Sequence, residues 1–84
     1  MPLYLVSYDL LNKETFGEYE TFIGEIRRLG GQEALLSQWL LRSSATPMQL
    51  RDFLVRYMHN DDRLLISALD DWASRNLMND PNKL

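Results

Sequence analysis

The stretch Glu33-Ala34-Leu35-Leu36-Ser37-Gln38-Trp39-Leu40-Leu41-Arg42-Ser43 decides which fold this chain can adopt. It is a long extended run with no Gly, Pro or Asn inside it, and it reads either as one long strand or as two short strands joined by a bend. Period alone does not choose between them. Gly30-Gly31 lies just before the run, where a glycine can take the left-handed conformation that ends a helix. Thr46-Pro47-Met48-Gln49 lies just after it, with threonine as cap, proline pre-set at the first helical position and glutamine closing the box.

Further out, Leu3 to Leu10 reads as a central strand, because apolar or aromatic residues occupy both of its faces. Leu3, Leu5, Ser7 and Asp9 share one face, while Tyr4, Val6, Tyr8 and Leu10 share the other. Thr15-Phe16-Gly17-Glu18 matches a capping box and predicts a helix start. Phe16, Tyr19, Phe22, Ile23, Ile26 and Leu29 then form a buried stripe, with Glu14, Glu18 and Glu25 opposite it and Arg27-Arg28 complementing the carbonyl end. The second helix carries Leu50, Phe53, Leu54, Tyr57 and Met58 on its apolar side and pairs Asp52 with Arg56. Leu64 to Leu69 is the last strand. Asp70-Asp71 reads as the cap of a short turn through Trp72, Ala73 and Leu77, and residues 79–84 read as a flexible tail on a single domain of residues 1–78.

The order is strand, helix, long strand or bent pair, helix, strand. If the run at Glu33 to Ser43 splits, the chain is an α+β ferredoxin-like βαββαβ domain, an antiparallel sheet with two helices on one face. The other face then needs a cover. Tyr4, Val6, Tyr8 and Trp39 are candidates to lie there, with a second copy of the chain as the simplest lid.

Composition narrows the function classes. An 84-residue chain buries only roughly 60–65% of its unfolded surface, so oligomerisation would help it. The absence of cysteine removes disulfides, thiolate nucleophiles and Cys-ligated zinc, and fits a cytoplasmic setting. The start Met-Pro-Leu-Tyr has neither a basic n-region nor a long apolar run, so neither a signal peptide nor a membrane partner is expected. Twelve acidic residues against nine basic ones give a net charge of −3, which argues against binding duplex by net field alone.

Val6-Ser7-Tyr8-Asp9 at the strand exit, the triplet Ser37-Gln38-Trp39, and Asp61-Asp62-Arg63-Leu64-Leu65-Ile66 together resemble the small CRISPR-associated adaptation subunit, the Cas-two family, with its relatives of the virulence-associated protein D type. The resemblance covers roughly residues 3 to 69. It implies a ferredoxin-like homodimer and an aspartate, Asp9, that meets its symmetry mate near the dimer axis. It further implies metal-dependent phosphodiesterase or ribonuclease activity in some members and a nucleic-acid scaffold in others. In that family the second and third strands bend near the Ser-x-aromatic triplet.

Asp9 is accordingly the candidate catalytic residue and the ligand for magnesium or manganese, since hard cations take carboxylate oxygens and two copies would supply a pair. Its plain alternative is to cap the following turn. Ser7, Ser37, Trp39 and Arg42 are candidates to contact nucleic acid, DNA or RNA, or a larger protein partner. Ser7 and Ser37 would face the same cleft and hold a water or substrate; equally, they are small residues that suit a tight sheet, and Trp39 suits a core or a dimer contact. His59 is placed to favour the end of the second helix, and Asp61 and Asp62 to form a turn. Arg27, Arg28, Arg42, Arg51 and Arg56 are the available phosphate contacts. The alternative function is a non-enzymatic protein-interaction module, favoured by the acidic balance and by Leu10-Leu11-Asn12-Lys13-Glu14, which has only Lys13 where that family usually carries basic residues after its aspartate.

Overall fold

A computed structural model describes residues 1–12 and 16–84, with residues 16–18 described by backbone only. The strand at Leu3–Asp9 (β1) is central, as its two apolar faces require. It pairs antiparallel with Gln38–Arg42 (β3) on one side and Arg63–Ala68 (β4) on the other, and Gln32–Leu35 (β2) completes the sheet in the order β2-β3-β1-β4. Phe16–Arg28 (α1) and Pro47–Leu54 (α2) pack on one face, so the chain is an α+β ferredoxin-like domain.

The deciding stretch splits at Leu36-Ser37. Ser37 takes the turn with φ 61°, a left-handed conformation that a side chain enters only at a cost. Ala34 is the extra residue of a register shift between Glu33 and Leu35, and it is buried. The hairpin is thus made without Gly or Asn, which is why no turn residue announces it.

The helix ends follow the local signals. Gly30 has φ 96°, its N–H meets the Arg27 carbonyl at 2.9 Å, and the Gly31 N–H meets the Ile26 carbonyl at 2.9 Å. These two bonds close a Schellman motif. At α2, the Gln49 N–H reaches Thr46 Oγ1 at 3.1 Å and the Thr46 N–H reaches Gln49 Oε1 at 2.9 Å, the full capping box. The box predicted at Thr15 lies outside the described residues, as do Glu14 and the side chains of Phe16 and Glu18. The expected Asp52–Arg56 pair gives way to Asp52–Arg51 at 2.9 Å. The chain tightens into a 3₁₀ turn at Val55–Tyr57, which rotates Arg56 off the i,i+4 row and over Phe53.

The two sheet faces are assigned opposite to expectation. Tyr4, Val6 and Trp39 are buried under the helices with Phe22, Ile26, Leu41, Leu50 and Leu54, and Tyr8 packs against them. The other face carries Leu3, Leu5, Ser7 and Asp9. Its apolar half, Leu3, Ala34 and Leu40, is covered by Leu69, Leu77 and Leu84 of the same chain. The segment after β4 forms bends rather than the expected Asp70-Asp71 capped helical turn. Residues 79–84, read from sequence as a flexible tail, are tied down. The Met78 N–H reaches the Ala34 carbonyl at 3.0 Å, Asn79 Nδ2 reaches the Glu33 carbonyl at 2.7 Å, and Asp80 caps a 3₁₀ turn at Pro81–Lys83 with Pro81 buried. Among the described residues no helix is long and apolar enough to cross a membrane.

Candidate functional site

Pairing in β1 determines where Asp9 goes. As the last residue of a strand whose odd positions face away from the helices, it is exposed beside its cross-strand partner Arg63, whose Nη1 lies 3.5 Å from Asp9 Oδ2. Ser7 stands two residues back on the same face, opposite Gln38 and Leu65. Asp9, Ser7, Arg63 and Leu65 line a shallow depression of about 190 Å³, and Leu65 is 64% exposed. This is the half of the face that the C-terminal segment leaves bare.

The other candidates are elsewhere. Ser37 lines a separate groove of about 800 Å³ on the helix side, between α1 and the β2-β3 hairpin, together with Tyr8, Arg27, Glu33 and Trp39. It therefore does not share a cleft with Ser7. Trp39 is core: its indole N–H donates to the Tyr8 hydroxyl at 2.9 Å and the Arg27 guanidinium lies 5.4 Å from its ring. Burial raises the Tyr8 phenol above its usual pKa, against the lowering effect of the bond from Trp39. Arg42 sits at the opposite end of β3, opposite Leu3, and holds the Met1 carbonyl at 2.7 Å.

Among the described residues of one chain, no metal site gathers around Asp9. A divalent cation needs several oxygen donors, and among the described residues no group of three or more His, Cys, Asp or Glu converges. The neighbour of Asp9 is a cation. The donors described in a single chain thus do not by themselves make up the oxygen shell of magnesium or manganese.

Asp62, read from sequence as a turn former, is the most heavily bonded carboxylate among the described residues. It accepts the N–H of Leu11 at 2.8 Å, the N–H of His59 at 2.8 Å, and the Tyr19 hydroxyl at 2.7 and 2.8 Å to its two oxygens. Asn12 joins the same knot through Asp61 at 2.6 Å. Burial works to raise the Asp62 pKa, but the bonds donated by Leu11, His59, Tyr19 and Asn12 outweigh it and hold the carboxyl below its ordinary value. Tyr19 is raised by burial, and further by the hydrogen bond its hydroxyl donates to that carboxylate. The ring of His59 packs edge-on to Tyr19 rather than serving only a helix end. One carboxylate therefore pins the exit of β1, α1 and the approach to β4 together. The local turn with His59 follows a short-range pattern, but the bonds from Leu11 and Tyr19 do not, since those partners lie far away in the chain.

The arginines are dispersed, with one exception. Arg28 from α1 and Arg56 from the turn after α2 both stand 5.9 Å from the Phe53 ring. No known family model and no solved structure matches this chain.

Proposed function

We propose that the chain is a small nucleic-acid-associated scaffold of the Cas-two type, working as a homodimer. The observation that carries this reading is that Arg28 and Arg56, from separate helical segments, each stand 5.9 Å from the Phe53 ring on an otherwise acidic protein, with Glu25 bonded to Arg28 Nε at 2.7 Å and the remaining guanidinium nitrogens left to meet phosphate. Planar guanidinium groups suit phosphate oxygens, and a local pair supplies what the net charge does not. The strand order and the position of Asp9 at the exit of β1 agree with the resemblance in residues 3 to 69.

Cleavage is the further claim of that resemblance, and it requires Asp9 carboxylates from two copies to meet around magnesium or manganese, because among the described residues one chain gathers no metal-binding group there. Fluorescence anisotropy with short duplex DNA and RNA across a salt series tests the scaffold. Binding should weaken steeply with salt, and Arg28→Gln and Arg56→Gln should each lower the slope of log K against log salt by about 1. Binding that is absent at low salt, or a slope unmoved by both substitutions, would remove this reading. Loss of magnesium- or manganese-dependent cleavage in Asp9→Asn, with the fold intact, would establish the nuclease.

A second reading, the non-enzymatic protein-binding module, is favoured by the net charge of −3 and by the ion pairs that occupy Arg28, Arg51 and Arg63. Its signature is salt-insensitive association with a protein.

A further inference from the structure

The two edges of the sheet are unequally protected. At the β2 edge a bulge at Ala34 breaks the ladder, and the C-terminal segment occupies the outward carbonyls of Glu33 and Ala34. Among the described residues β4 has no such cover. It runs six residues, Arg63-Leu64-Leu65-Ile66-Ser67-Ala68, with no proline, bulge or lysine, and it pairs on one side only, with β1.

The hydrogen-bond phase of that edge follows from one contact. The Leu69 N–H donates to the Leu3 carbonyl at 2.8 Å, and with Leu5 opposite Ser67 and Ser7 opposite Leu65 the alternation of an antiparallel ladder turns the backbone groups of Arg63, Leu65 and Ser67 toward β1. Those of Leu64, Ile66 and Ala68 point outward.

We infer that β4 is a self-pairing edge, joining antiparallel to β4 of a second copy about a two-fold axis at Leu65. A two-fold axis perpendicular to the sheet sets residues of the same face opposite each other, and an axis at Leu65 opposes Leu65 to Leu65, Leu64 to Ile66 and Arg63 to Ser67. The outward groups of Leu64 and Ile66 then exchange about four backbone bonds across the axis. The Leu65 side chain, 64% exposed in one chain, meets its mate in a non-hydrogen-bonded pair, where opposed side chains lie closest. No like charges are opposed. Because the β2 edge is blocked, the assembly closes at two copies instead of growing as a filament.

This goes beyond the nucleic-acid scaffold reading by identifying the surface through which two copies meet, and it replaces the dimer that the resemblance implies, in which the Asp9 carboxylates meet near the axis. Asp9 lies one strand in from the edge and two residues along from Leu65, which sets the two Asp9 Cα atoms roughly 20 Å apart at the usual strand spacing and rise. At that separation they do not share a cation. A face-to-face dimer with paired Asp9 and the edge-to-edge dimer are therefore distinguishable.

The test uses the full chain, which has no native cysteine, without nucleic acid. Leu65→Cys, Ser67→Cys and Asp9→Cys are each oxidised with copper–phenanthroline and run on non-reducing gels, beside light scattering of the wild type and of Leu65→Lys. The expected result is a wild-type mass near twice 9.9 kDa, reverting to the monomer in Leu65→Lys, with cross-linking in Leu65→Cys alone. A monomeric wild type would overturn the proposal. So would preferential cross-linking of Asp9→Cys, or a dimer that survives Leu65→Lys. Failure of nucleic-acid binding would leave this cross-linking pattern unchanged.

Discussion

Asp62 shows how one carboxylate can organise elements that the chain separates. Its acceptors hold amide and hydroxyl donors from three places, and replacing it by asparagine sets an amide N–H₂ against some of those donors. With partial solvent screening, Asp62→Asn should cost about 1–2 kcal/mol at neutral pH in urea titrations. The pH dependence has a definite sign. A carboxyl held below its unfolded value stabilises the fold above that value, near 3.8, and the contribution disappears as pH falls through the folded pKa. The stability gap between wild type and Asp62→Asn should therefore be full at pH 7 and narrow below about pH 4. A gap that widens toward acid would contradict this account.

At the scale of elements, the hairpin and the second helix make opposite predictions. Ser37 spends free energy to hold φ 61°, which glycine would adopt without steric cost. Ser37→Gly should stabilise the protein by about 0.5–1 kcal/mol, set by the left-handed penalty less the added chain entropy, and thermal unfolding would report it. Thr46→Ala removes one half of a complete capping box and should cost about 1 kcal/mol, read from the shift of the urea midpoint at constant slope. The cap was legible in the sequence because its four residues are adjacent and each has a single local task. The hairpin was not. Its turn residue is a serine whose conformation is imposed by the pairing of β3 with β1, including the Tyr8 N–H bonded to the Ser37 carbonyl at 3.1 Å.

For the molecule as a whole, stability is limited by size. A chain of 84 residues should have roughly 4–13 kcal/mol in total, by the usual value per residue. Phe22 is fully buried between the helices and the sheet, with the Tyr8 ring packed edge-on at 5.0 Å. Phe22→Ala should cost about 3–5 kcal/mol, a large part of that total, and near-ultraviolet circular dichroism should show lost packing or outright unfolding. The C-terminal segment belongs to this scale too, because it covers Leu3, Ala34 and Leu40 on the face that the helices do not reach.

By itself the sequence determined the kind and order of the main elements, though not whether residues 33–43 make one strand or two, and with them the cap at Thr46, the glycine stop after α1, the central place of β1 and the position of Asp9 at its exit. Each of these rests on residues that are neighbours in the chain or that repeat with the period of one element. Only the tertiary structure decided which face of β1 lies under the helices, since both faces are apolar at Leu3 to Val6 and period two labels them without ranking them. It also separated Ser7 from Ser37, buried Trp39, moved Arg42 to the far end of the sheet and made Asp62 a hub. Those outcomes depend on contacts between distant segments, and the free energy of such contacts is set by packing rather than by any local pattern.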